Sequence, residues 1–194
     1  MVKPKKHLGQ HFLIDEQISE RISDSLTGFN EYQTIVEIGP GTGALTKYLL
    51  SRKEDLISLE VDRESIKYLN HEYPQLIVKE LDFLKVDLAN FVKGNIAVAG
   101  NFPYNISSQI LFRVIENKDK VSELVGMFQK EVALRVASKP GNKAYGIISV
   151  LVQAFYSVEY LFTVDEDVFH PPPKVKSGVI RMQRKPIDPK CDLA

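Results

Sequence analysis

The stretch Asn101-Phe102-Pro103-Tyr104 combines an amide, a proline and two aromatic rings just after the apolar run Ile96 to Gly100. Proline fixes its own φ and drives the preceding Phe102 toward extended geometry, so this turn is stiff. The Asn101 side-chain oxygen and the Phe102 carbonyl are then two fixed acceptors, and Tyr104 is a flat face beside them. Such a group can accept the hydrogens of a planar amine while its ring stacks, worth ~1–3 kcal/mol per base. An exocyclic adenine amine fits. Its nitrogen lone pair is delocalised into the ring, so it reacts only when it is held and helped to pyramidalise. That is catalysis by positioning and electrostatics, with no covalent intermediate. The base would have to be unpaired or flipped out to enter.

A second set of residues could hold a cofactor. In "EIGPGTGALT", Gly39, Gly41 and Gly43 allow a sharp turn and close approach of backbone to a ligand. The spacing is not that of a dinucleotide fingerprint, and no P-loop lysine follows. Glu60, in Glu60-Val61-Asp62, can accept from both hydroxyls of a ribose, and Asp62 reads as a helix cap. Asp82-Phe83 places a carboxylate where it can accept from an adenine amino group. These three signals close three successive strands. With triphosphate and dinucleotide signatures missing, they point to S-adenosylmethionine.

The elements that would position these residues are readable. Ile14, Ile18, Ile22 and Leu26 predict a helix from Asp15 to Leu26. Short apolar runs predict strands at Thr34–Gly39, Leu56–Val61, 76–82, 95–101 and Glu123–Gln129, with helices between them and over Gln129–Ser138. Ile147–Val164 reads as one long strand or a strand pair, and Gly178–Met182 as a closing strand. Repeated strand–helix alternation predicts an α/β fold with a mostly parallel sheet, helices on both faces and antiparallel pairing at one edge. Ligands then sit beyond the carboxyl ends of the strands, where the unusual residues fall.

Composition is that of an ordinary globular chain, with 44% hydrophobic and 26% charged residues in 194. Zero formal net charge means that nucleic-acid contact would need local patches such as "VKPKKHLG" and "ASKPGNKAYG", or Lys174, Lys176 and Arg181. Cys191 is the single cysteine, which suits a reducing compartment. No apolar run is long enough to span a membrane, and no secretory signal follows the basic start, so a cytoplasmic location is expected. No His/Cys cluster has metal-ligand spacing, so no metal is expected. His170 reads as a packed loop histidine.

"GQHFL", "EIGPGTGALT", "NFPYNISSQILF" and "VFHPPPKVKSGVIR" occur in this order. Together they resemble the rRNA adenine N6-dimethyltransferases, most closely the small-subunit (16S) KsgA type. The resemblance runs from about Lys5 to Met182. It implies a Rossmann-like class I S-adenosylmethionine-dependent methyltransferase fold, with a catalytic domain at 1–183 and a tail at 184–194 that begins a further helical domain. It implies cofactor contacts from Gln10, His11, Leu13, Gly39, Gly41, Glu60, Val61, Asp82, Phe83 and Asn101; the family usually has asparagine at the place of His11. Asn101, Phe102, Pro103 and Tyr104 would form the catalytic turn, and Phe169 would cover the other face of the target base. The implied partner is small-subunit ribosomal RNA in a precursor particle, met by a monomer. A macrolide-resistance type enzyme of large-subunit rRNA shares these motifs. A ribosome-assembly checkpoint factor and a nicotinamide-dependent oxidoreductase are the rivals of other classes.

Overall fold

A computed structural model describes residues 2–186. Its main sheet has seven strands: β2 (Thr34–Ile38), β3 (Asp55–Glu60), β4 (Ile77–Glu80), β5 (Ile96–Asn101), β6 (Val121–Gln129), β7 (Tyr156–Val164) and β9 (Ser177–Arg184). They lie in the order β4-β3-β2-β5-β6-β9-β7. The first five are parallel; β9 is antiparallel to β6, and edge strand β7 is antiparallel to β9. The chain order reverses between β2 and β5, which makes their carboxyl ends the switch point of the sheet. A two-stranded ribbon, β1 (Phe12–Leu13) with β8 (Phe169–His170), crosses near this end.

Strand periodicity sorts the core into two layers. Val36, Val98, Leu124 and Phe128 face one way, onto α4 (Leu88–Phe91), α5 (Ser107–Glu116), α6 (Lys130–Ala137) and α7 (Ile147–Phe155). Ile35, Ala97, Val125 and Met127 face the other, onto α1 (Glu16–Asp24), α2 (Thr46–Leu49) and α3 (Arg63–Glu72). Asp15 caps α1 and Asp62 caps α3, each accepting backbone N–H bonds.

The strand expected over Ile147–Val164 is half helix. Ile148, Ser149 and Val152 are its buried positions, a helical spacing, and Gly146 N–H donates to Ser149 Oγ at 3.1 Å. Gln153 then donates to the carbonyls that end α6, at 2.8 and 2.7 Å. Packing against α5 and α6 outweighs the β-branched composition. Strand β9 runs through Arg184, one residue past the expected domain boundary at 183. Most of the 184–194 tail, with Cys191, lies outside the described residues.

Candidate active site

The Asn-Phe-Pro-Tyr turn is built around Phe102. Gly100 and Gly126 are paired neighbours on β5 and β6, and the Phe102 ring folds back over them. A Cβ on Gly126 would lie 2.1 Å from Phe102 Cε2, and one on Gly100 2.6 Å from Cε1. The ring is 1% exposed, at 4.9 Å from Phe128. Phe102 is therefore an internal wedge that sets the turn. Pro103 follows at φ −57°, and its carbonyl accepts from Ile106 N–H at 3.2 Å.

Asn101 and Tyr104 are held by partners distant in sequence. Asn101 Nδ2 donates to the His11 carbonyl at 2.9 Å. A carbonyl only accepts, so this bond fixes which way the amide points. Asn101 Oδ1 takes no hydrogen bond among the described residues, and Asn101 lines the cleft. The Tyr104 hydroxyl meets Ser177 Oγ at 2.5 Å, and its ring stacks on His11 with centroids 5.6 Å apart. Burial pushes the Tyr104 phenol up, with Ser177 opposing. His11 Nδ1 lies 2.8 Å from the Pro171 carbonyl, and because a carbonyl only accepts, Nδ1 is the donor of that bond.

Phe169 is not in this group. Pairing of β8 with β1 sets it opposite Leu13, and it is 2% exposed in the core with Leu13, Ile22 and Val179. In this conformation it offers no face to a base, and the ring beside Tyr104 is His11. His170, expected to pack, is exposed.

The cofactor-side residues surround one cleft of about 250 Å³. Gly39 and Gly41 have φ of +64° and +58°. A Cβ on Gly39 would meet nothing within 4 Å, so that turn borders open space, whereas Phe12 packs 3.0 Å from where a Gly41 Cβ would stand. Glu60 accepts from the N–H groups of Gly41 at 3.1 Å, Val61 at 2.8 Å and Asp62 at 2.9 Å. Burial pushes its carboxyl up while those three donors pull it back. Val61 and Leu81, 48% and 39% exposed, form apolar walls at the mouth. Asp82 Oδ1 accepts from Leu84 N–H at 3.0 Å and shapes the turn, with Oδ2 3.6 Å from Lys85 Nζ. Phe83 and Leu13 are buried core residues that also line the cleft.

The strap is the segment from Lys5 to Leu13. Lys5 Nζ pairs with Asp62 at 2.5 Å and with Glu64 at 3.3 Å. Gln10 accepts from Lys5 N–H at 2.9 Å and donates to Asp62 at 3.5 Å. Gln10 thus ties the strap to the α3 cap as well as lining the cleft.

Glu37 and Leu81 are among the lining residues that the sequence reading did not assign to the site. Glu37, in β2, is 1% exposed and accepts from Thr46 and Ser58 hydroxyls, both at 2.8 Å. Its signal is an acid inside a β-branched run. Leu81 is the other, hidden as the end of a strand.

Among the described residues, the cleft is lined by Glu37, Glu60 and Asp82 and by no lysine or arginine. That donor set suits a nucleoside carrying positive charge and opposes one carrying phosphates. S-Adenosylmethionine has a ribose diol, an adenine amino group, a sulfonium and an ammonium, and the residues present fit it.

The family model for ribosomal RNA adenine dimethylase matches residues 1–194. The chain belongs to the ribosomal RNA adenine dimethylase family. The chain is 58% identical over 186 residues to a ribosomal RNA small subunit methyltransferase A of Cytophaga hutchinsonii, covering 94% of this chain and 72% of the relative. It is 56% identical over 187 residues to a ribosomal RNA small subunit methyltransferase A of Parabacteroides distasonis, covering 95% of this chain and 70% of that relative. Among solved structures, a dimethyladenosine transferase from Plasmodium falciparum matches with a TM-score of 0.80 at 30% identity, over 90% of this chain and 64% of that chain. The 23S rRNA methyltransferase ErmE matches with a TM-score of 0.80 at 27% identity, over 91% and 71%. The cofactor of this chain is S-adenosylmethionine.

Of the cations suggested for RNA contact, Lys176 is paired with Asp165 at 2.6 Å, and Arg181 with Glu159. Lys5 is committed to Asp62. Lys3, Lys6, Lys139, Lys143 and Lys174 are exposed and make no ion pair among the described residues. Among those residues no three His, Cys, Asp or Glu side chains gather as a metal site, and no helix is long and apolar enough to cross a membrane.

Proposed function

We propose that this chain dimethylates the N6 amine of adenines in small-subunit ribosomal RNA during ribosome biogenesis. The observation that carries the reading is Asn101: it lines the cleft, its amide is oriented by His11 so that Oδ1 takes no hydrogen bond among the described residues, and an anchored tyrosine ring lines the same cleft. S-Adenosylmethionine supplies an electrophilic methyl group when bound. Glu60 would hold its ribose, Val61 and Leu81 its adenine, and Asp82 the adenine amino group. Asn101 Oδ1 accepts one hydrogen of the target amine, and the Phe102 carbonyl, aimed by the buried ring and Pro103, accepts the other. Both bonds draw electron density onto the nitrogen and favour its pyramidal form. Tyr104 supports the base from one side, its hydroxyl tethered by Ser177 so that the ring does not swing.

Identity of 58% to a small-subunit enzyme, against 27% to ErmE, supports the small subunit as target. The working form is a cytoplasmic monomer, with residues 1–183 as its catalytic domain and a precursor small-subunit particle as its substrate. The test is methyl transfer from labelled S-adenosylmethionine to purified precursor small subunits and to naked large-subunit rRNA, read by mass spectrometry of nucleosides. N6,N6-dimethyladenosine in the small-subunit RNA is expected. Modification of the large-subunit RNA alone would overturn the assignment.

A further inference from the structure

Glu37 is a buried carboxyl that the chemistry above leaves unused. It stands in β2 under α2 and α3, and it reaches the cleft. Both of its donors, Thr46 on α2 and Ser58 on β3, are neutral hydroxyls bonded to the same oxygen, Oε2. No lysine or arginine among the described residues pairs with it. Glu60, from the end of β3, adds a like charge, and Tyr73, from the end of α3, is a neutral phenol whose hydroxyl donates to the Gly43 carbonyl at 3.4 Å. On β5 its register partner is Ala99, which carries no charge. An ionised carboxylate in such a place lacks a counter-charge, which is costly where water is excluded.

The cofactor brings what is missing, since its ammonium and sulfonium are both cations. We propose that the positive charge of the bound cofactor is the counter-ion of Glu37, so that binding expels a proton from this carboxyl. The inference rests on S-adenosylmethionine being the ligand of the cleft. Burial pushes the Glu37 carboxyl up to about 7, with the two hydroxyls pulling it down and Glu60 adding repulsion. The free protein therefore carries the proton on a substantial share of molecules near neutrality.

Calorimetric titration of the full chain, in buffers of different ionisation enthalpy, measures the proton count directly. With S-adenosylmethionine, release of about half a proton per ligand is expected near pH 7, rising toward one near pH 6. Affinity should be about tenfold weaker near pH 6 than near pH 8. Glu37→Gln keeps the shape and an acceptor for both hydroxyls, and it should abolish the release and flatten the pH dependence. Glu60→Gln, which removes a neighbouring like charge and a ribose contact, should reduce the release without abolishing it once the protein is saturated with ligand. His7 and His11 also line the cleft, and any protons lost by them would persist in Glu37→Gln. S-Adenosylhomocysteine, which keeps the ammonium and lacks the sulfonium, separates the two charges: release with it assigns the ammonium, and its loss assigns the sulfonium. Tight binding without proton release, or unchanged release in Glu37→Gln, overturns the inference and leaves the cofactor reading intact. Failure of wild-type protein to bind S-adenosylmethionine at any pH overturns both.

Discussion

The side-chain amide of Asn101 donates to the main-chain carbonyl of His11 across 2.9 Å, joining the Asn-Phe-Pro-Tyr turn to a strap 90 residues earlier in the chain. The bond uses one amide hydrogen and leaves the oxygen for substrate. Asn101→Ala should fold normally, bind S-adenosylmethionine within a few-fold of wild type, and lose ~100-fold or more in methyl transfer. Asn101→Asp should fare no better, because a carboxylate cannot donate to His11. Single-turnover transfer to precursor subunits measures both; activity within a few-fold of wild type in Asn101→Ala would remove Asn101 from the mechanism.

Gly126 has no room for a side chain, because Phe102 occupies the space above it. Gly126→Ala should destabilise the protein by about 1–3 kcal/mol in urea unfolding, as overpacking does. It should also depress transfer by tilting the turn. Phe102→Leu in the same chain should restore part of the stability, since a smaller side chain clears the added methyl. Additive losses in the double variant would show that the ring and the glycine do not interlock.

Glu37 ties cofactor-free stability to pH in a sign opposite to that of a salt-bridged acid. Its folded carboxyl is raised from an ordinary value near 4.5 to about 7. The native state then holds the proton more tightly than the unfolded state. Stability from this group is full below the unfolded value and is lost as pH rises through the folded one, about 3 kcal/mol in all. Glu37→Gln should therefore be the more stable protein near pH 8 and show a weaker fall in denaturant midpoint between pH 5 and 8. Parallel wild-type and variant curves would contradict the burial argument.

Phe169 is a core residue here, so its truncation acts through folding. Phe169→Ala should cost about 3–5 kcal/mol, as large-to-small core changes do. Phe169→Leu should keep most of the methyl transfer, because it preserves the packing on Leu13 and Val179. If Phe169→Leu instead folds stably and loses base capture, with a raised KM for RNA and unchanged cofactor affinity, the ring moves out to stack on substrate during turnover.

What the sequence shows well is what local pattern encodes. The runs around Val36, Ile57, Val98, Val125 and Ile180 are short, apolar and bounded by turn residues, and each is a strand. Asp15 and Asp62 are caps in sequence and in space. Ile147–Phe155 misleads because its composition suits a strand while its buried positions follow a helix, and only α5 and α6 decide between them. Phe169 misleads for a related reason. The ribbon that buries it consists of two strands of two residues each, separated by 155 intervening positions, too short to leave a pattern. Charge partners are equally hidden: Lys176 and Arg181 look available until Asp165 and Glu159 are seen beside them. Glu37 is visible in the motif, but its lack of a counter-charge is a property of three dimensions.

The β1–β8 ribbon has a consequence for how the enzyme comes into being. The floor of the site, β2 to β5, is complete once residue 101 has been made. The C-terminal end of the strap is paired with Phe169, His170 and Pro171, and the Tyr104 hydroxyl is tethered by Ser177. Closing so long a loop is slow compared with local folding. During vectorial synthesis the growing chain can therefore assemble a cradle for cofactor well before it can orient a target base. The contacts that complete the site form only when the segment from Phe169 to Ser177 docks.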